Sequence, residues 1–183
     1  MSNRYNFKLE SREKRRPLPN RIIIGQKDTE TTAHVVLKLM GYLLFFRERL
    51  QIEPRLHDDN IPFEPDLVQL NYEMHPALWV ECGECGVPKL HKLAVKIPDA
   101  EIWVVKRSVA EAQRLLVAME KGDLRRNRYQ IVALDLEMFD EVTGMVGERN
   151  EITWFGASFE DPTTMQFDFN GLWFDAPFTV LKF

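Results

Sequence analysis

Pro65-Asp66-Leu67-Val68-Gln69-Leu70 and Leu78-Trp79-Val80-Glu81-Cys82-Gly83 are two apolar, strand-forming runs, and Asn71-Tyr72-Glu73-Met74-His75-Pro76 between them has turn-favouring ends. In a symmetric antiparallel hairpin, paired residue numbers share one sum. A turn centred between Glu73 and Met74 sets Asp66 opposite Glu81, Val68 opposite Trp79 and Leu70 opposite Ala77. Directly opposed residues share a face with Cβ atoms roughly 4.5–5.5 Å apart, and like charges there are destabilising. One end of an apolar face therefore carries two carboxylates. Such a pair persists when a cation sits between them or when it lies at a solvated rim.

Outward from this hairpin, the pattern predicts alternating helices and strands. Tyr5 to Leu9 alternates, and Arg21-Ile22-Ile23-Ile24-Gly25 is β-branched, so both read as strands around a basic loop. Asp28 or Thr29 is the expected cap of a helix running through His34 to Phe46, apolar around most of its circumference and so buried against a sheet. Within it, His34 reads as a core histidine. Pro54, Pro62 and Pro65 mark a looser segment. Pro88 is placed to open a helix carrying Lys89 and Lys92. Glu101–Lys106 reads as a strand, Ser108 to about Lys121 as a helix and Tyr129–Leu134 as a strand, while Glu137–Val146 is ambiguous. Met165 to Phe169 alternates into Asn170-Gly171, a two-residue hairpin signal that pairs Phe169 with Leu172 and Phe167 with Phe174. This end reads as a β-meander with an aromatic core face.

The 183 residues, 45% hydrophobic and 28% charged, suit a single globular domain. It divides into basic N-terminal strands and loop (1–27), an αβ core (28–135) and the meander (150–183). No apolar run reaches the ~18 residues of a membrane span. Two cysteines three positions apart make no disulfide framework, and with no signal-peptide pattern at the N-terminus a cytoplasmic location is expected. Net charge is −4, yet residues 1–27 hold eight Lys/Arg against two Glu. Such an arm suits phosphates or an acidic partner, or serves as a solubilising surface strand. No obligate protein partner is implied. Cys82-Gly83-Glu84-Cys85 has the spacing of a redox pair or half a zinc site, but Cys82 falls inside a strand and no second pair follows. Two partly buried thiols are the plainer reading.

The ordered set Asp28-Thr29-Glu30-Thr31 before an apolar helix, Glu64-Pro65-Asp66-Leu67, and Trp79-Val80-Glu81-Cys82-Gly83 with Lys89 and Lys92 resembles the YaeQ family from about residue 20 onward. The resemblance implies an α/β fold with the restriction-endonuclease-like central mixed sheet of PD-(D/E)xK phosphodiesterases, flanked by helices and extended by the C-terminal β-meander. It implies a metal-dependent nuclease in which Asp66, Glu81 and the Cys82 carbonyl bind Mg²⁺ or Mn²⁺. Glu30 would be a supporting acid, and nucleic acid the partner. A divalent ion suits that role because it polarises the phosphate and activates water. The motif lysine, two residues after the strand carboxylate, is replaced here by Gly83, so Lys89 or Lys92 is the candidate substitute. The alternative is a catalytically inert nucleic-acid- or protein-binding module on the same fold.

Overall fold

The computed structural model describes residues 3–183. Its elements in chain order are β1 (Asn3–Ser11), β2 (Arg21–Gln26), α1 (Thr32–Phe45), β3 (Gln51–Ile52), β4 (Leu67–Leu70), β5 (Pro76–Cys82), α2 (Val87–Lys96), β6 (Glu101–Lys106), α3 (Val109–Lys121), β7 (Tyr129–Leu134), α4 (Leu136–Met145), β8 (Arg149–Ser158), β9 (Thr164–Phe169) and β10 (Leu172–Lys182). The strands form one mixed ten-stranded sheet in the order β2-β1-β8-β9-β10-β7-β6-β5-β4-β3. β1 runs parallel to β8, and β5, β6 and β7 are mutually parallel; the other pairings are antiparallel. Among the described residues, no helix is long and apolar enough to cross a membrane.

The carboxylate hairpin has the expected register: Leu67 pairs with Val80, Val68 with Trp79 and Gln69 with Leu78. Continued by one residue, that register sets Asp66, just outside β4, opposite Glu81. At the other end a β-bulge between Gln69 and Leu70 moves Leu70 from Ala77 to Pro76. The turn supplies a cause, because Met74 takes a left-handed φ of 65° and Asn71 Oδ1 accepts from both Glu73 N and His75 N. The meander also pairs as read, Phe169 with Leu172 and Phe167 with Phe174, and both phenylalanines of β9 are fully buried. The ambiguous stretch is helix α4, capped by Asp135 accepting from Met138 N.

One expectation about α1 needs correction. Its N-cap is Thr31, whose side chain accepts from His34 N, rather than Asp28 or Thr29. Glu30 therefore precedes the helix, and no acidic residue occupies its first turn. Residues Val35 to Phe45 are all buried. That circumference is satisfied because the sheet curls around the helix: α1 packs on β2 near one end of the strand order and on β4, β5 and β6 toward the other. Gly41 allows the close approach, since a Cβ there would lie 3.1 Å from Leu67 Cδ1 and 3.2 Å from Cys82 Sγ. On the opposite face, α2 and α3 cover Val68, Trp79, Ile102 and Val104 in a second core.

The open seam of this curled sheet is closed by Lys38, which is completely buried. Its Nζ donates to Gly25 O of β2 at 3.2 Å, to Glu30 Oε2 at 3.0 Å and to Glu53 Oε1, just beyond β3, at 2.9 Å. Burial alone pulls a lysine pKa down; the bonds to Glu53 and Glu30 outweigh it, and Lys38 is held above its ordinary value. Removing one member of such a cluster leaves carboxylates in a poorly hydrated place. Lys38→Met should cost about 3 kcal/mol, the lower part of the range for breaking buried pairs, because Glu30 and Glu53 keep some solvent contact. Urea denaturation measures it, and a loss below ~1 kcal/mol would show that the seam holds without the ammonium.

Candidate functional site

Strand alternation decides where the chemistry lies. In β5, Leu78, Val80 and Cys82 face α1, while Trp79 packs under α2 and α3, and Glu81 points the same way as Trp79. Glu81 is thus a buried carboxylate beside the helix that follows its own strand. Its Oε1 accepts from Trp79 Nε1 at 2.8 Å and pairs with Lys89 Nζ at 2.8 Å. Burial raises the Glu81 pKa, Lys89 pulls it back, and the negative charge of Asp66 nearby adds to the rise; the net direction is upward.

The position of Lys89 is well supported. α2 is anchored by Tyr129 donating to Leu90 O at 2.9 Å and by Arg128 donating to Ala94 O and Ile97 O at its C-terminal end. The Lys89 ammonium also stands 5.5 Å from the centre of the Phe63 ring. Lys92, the other candidate lysine, is exposed on the outer side of the same helix.

Asp66 uses its two oxygens differently. Oδ2 accepts from Cys82 N at 2.7 Å, and Oδ1 lies 3.5 Å from His34 Nε2. His34 in turn places Nδ1 3.1 Å from Glu30 Oε1. The bond to Asp66 raises the His34 pKa, against the opposing effect of burial. His34 therefore belongs to the carboxylate cluster and is not the core histidine expected from its apolar neighbours. It lies one turn into α1, at the edge where the helix leaves the sheet's cover. Glu30 is brought to this cluster, though chiefly through Lys38, His34 and the Lys27 N–H rather than by direct contact with Asp66 or Glu81. Lys38 and Glu53 escaped the sequence reading. The four-residue spacing of Glu30, His34 and Lys38 was the available signal.

Gly83 stands where the sequence resemblance would place a lysine, and its backbone disfavours one. Its φ is +91°, a conformation that side-chain-bearing residues rarely adopt. The β5 backbone turns away there, with Gly83 N donating to Val105 O, and Gly83 O accepts from Lys106 Nζ at 2.7 Å. Lys106, at the end of β6, is a second buried amine that sequence reasoning did not single out; burial pulls its pKa down. The Cys82 thiol is packed against Gly41, and Cys85 is partly buried. Burial pushes both thiols up, Cys85 to about 12, so neither is a ready thiolate at neutral pH.

Among the described residues, no three His, Cys, Asp or Glu side chains converge as a complete metal-binding group. Two carboxylates are nevertheless the usual protein share of a Mg²⁺ site, the remaining ligands being water, carbonyl and phosphate oxygens. Surface cavities of about 540 Å³ and 710 Å³ lie elsewhere, and neither is lined by Asp66 or Glu81.

The Glu30 carboxylate supplies a pH test of this cluster. Burial by itself would raise its pKa, but the Lys27 N–H and the Lys38 ammonium outweigh that and lower it. Its contribution to stability is thus present above the unfolded value near 4.3 and is lost as pH falls through the lower folded value. Wild type should exceed Glu30→Gln in Tm at pH 7, with the gap closing as pH drops below about 4. A gap independent of pH would contradict this electrostatic account.

A family model described as YaeQ protein matches residues 7–155. The fold is similar to the YaeQ protein of Pseudomonas syringae (TM-score 0.75, 14% identity, covering 100% of this chain and 97% of that one). It is also similar to the YaeQ protein of Xanthomonas axonopodis pv. citri (TM-score 0.68, 17% identity, covering 99% and 97%). No curated protein matches the chain. The chain belongs to the YaeQ family.

Proposed function

We propose that this YaeQ-family chain is a metal-dependent phosphodiesterase acting on nucleic acid, of the PD-(D/E)xK type with a migrated lysine. The observation that carries this reading is Lys89 Nζ at 2.8 Å from Glu81 Oε1. A lysine on α2 reaches the strand carboxylate that, in the motif, is served by a lysine at the position of Gly83. The run β4-β5-β6-β7, with α1 on one face and α2 and α3 on the other, supports a restriction-endonuclease-like core at this end of the sheet.

In this reading Asp66, Glu81 and the Cys82 carbonyl would hold Mg²⁺ or Mn²⁺, whose Lewis acidity polarises the phosphate and activates water. The protein's own groups divide the remaining work. Asp66 is oriented from two sides, by the Cys82 N–H and by His34. Glu30 fixes the His34 ring through Nδ1, so it is a positioning residue one step removed from the reacting atoms. Lys89 offers its ammonium to the phosphate, balancing charge as the water oxygen bonds phosphorus and the P–O ester bond breaks. Lys92, facing solvent, is left out of the chemistry.

A second reading, an inert binding module on the same fold, draws on a different observation. Glu81 already holds an ammonium and Asp66 an imidazole, so both carboxylates are partnered by the chain's own side chains. Cleavage of single- and double-stranded DNA and of RNA with Mg²⁺, Mn²⁺ or EDTA separates the two. Metal-dependent cutting should vanish in Asp66→Asn/Glu81→Gln and fall about 10²–10³-fold in Lys89→Met, while Lys92→Met stays near wild type. Absence of cutting on every substrate, with thermal stability unmoved by either metal, would leave the inert module.

A further inference from the structure

α1 spans roughly 20 Å, given 1.5 Å per residue, and its C-terminal end opens on a different feature from the carboxylates at its start. Here the 540 Å³ cavity is bounded by the last turn of α1, by β6, β7 and β10, and by Phe159 after β8. That volume falls within the usual range of small-molecule sites. Its floor is aromatic. Phe45, Trp103 and Phe159 are in mutual contact, with ring centres 4.9, 5.8 and 5.9 Å apart. Phe159 stands nearly perpendicular to Trp103 and is braced behind by Phe178 at 5.1 Å. It is nevertheless 42% exposed, a large ring that lines the cavity with part of its surface open.

The walls are cationic. Arg16, Arg47 and Lys182 line the cavity against one acid, Glu13. Their roles differ. Arg16 Nη1 donates to Leu43 O, Leu44 O and Phe46 O and is paired with Glu13, so it neutralises the carbonyl end of α1 that would otherwise repel an anion. Arg47 keeps one Nη on Glu101 at 2.9 Å at the rim. Lys182 supplies the freest positive charge, and sheet register fixes its place: Trp103 pairs with Gln130, and Gln130 with Lys182, one row across β6, β7 and β10. An aromatic ring, an amide with donor and acceptor, and a cation thus follow one another along a line, with the exposed Phe159 ring beside the first.

We propose that this cavity binds a nucleoside monophosphate: the base stacked on the exposed Phe159 ring with its edge toward Trp103 and Gln130, and the phosphate toward Lys182. The order of ring, amide and cation matches the order of base edge and phosphate in one nucleotide, whereas a purely apolar ligand would make no use of Gln130 or Lys182. The site is separate from the carboxylate pair and does not rest on the phosphodiesterase reading.

Titration of the whole protein with AMP, GMP, CMP and UMP by calorimetry and tryptophan fluorescence tests this. Inorganic phosphate and benzoate serve as the two partial ligands. At least one nucleotide should bind at millimolar or better affinity, weakened about tenfold by Phe159→Ala and by Lys182→Gln. The Trp103→Phe variant should lose most of the fluorescence change. Lys182→Gln removes only an exposed charge, so folding and binding defects stay distinguishable, and equal Tm values confirm it. Asp66→Asn/Glu81→Gln should bind nucleotide normally, which separates this site from the other. Failure of all four nucleotides at millimolar concentration would overturn the proposal. So would affinity unaffected by either variant, or benzoate or phosphate alone matching the nucleotide.

Discussion

A single buried ammonium ties the two ends of the sheet to the helix between them. Lys38 sits on the helix at the centre of the curled sheet and bonds Gly25 O on one edge strand and Glu53 just beyond the other. A ten-stranded sheet with right-handed twist tends to curl, but curling leaves two edges whose polar groups need partners. Hydrophobic packing on α1 brings those edges near each other without specifying how they meet. A lysine with no exposure and three oxygens around it does specify that, since any other arrangement strands a charge in the interior. The same cluster places Glu30, and through Glu30 it places His34 and Asp66.

The carboxylate site is built on that frame and compensated differently on its two sides. Asp66 leans on a backbone N–H and an imidazole; Glu81 lies deeper and meets an indole N–H and an ammonium. Each carboxylate has its own donors, an ammonium for Glu81 and a backbone N–H with an imidazole for Asp66, which is how two acids opposed across a hairpin persist in a largely apolar setting. Glu81 sits on the α2 side because strand alternation puts it there. The backbone then leaves regular strand geometry at Gly83, so an amine for Glu81 comes from the next helix rather than from the strand itself.

The two ends of α1 are chemically unlike. At its start, acids and amines pair within a few ångströms and little surface is open. At its end, three aromatic rings and a fringe of cations surround a cavity of about 540 Å³. Arg16 makes this possible by absorbing the carbonyls of the last turn, with its own charge shared by Glu13. The basic character of residues 1–27 thus contributes partly to internal capping, and not only to a surface for partners.

Local pairing was legible in the chain. The hairpin register that opposes Asp66 to Glu81, the Asn170-Gly171 turn, and the ends of β6 and β7 all follow from period-two alternation and turn chemistry, which act over a few residues. The bulge at Gln69/Leu70 and the start of α1 at Thr32 did not, because several neighbouring residues could serve as turn or cap and packing chose among them. The meeting of Lys89 rather than Lys92 with Glu81, of His34 with Asp66, and of Lys38 with Glu53 was beyond sequence reasoning for a different reason. Each joins groups from elements far apart in the chain, and their meeting depends on how the sheet curls around α1. The sequence by itself determined two hairpins, β4 with β5 and β9 with β10, and the alternation of buried faces along them. Only the tertiary structure decided which charges share an interior, because that follows from closure of the whole sheet and not from any one segment.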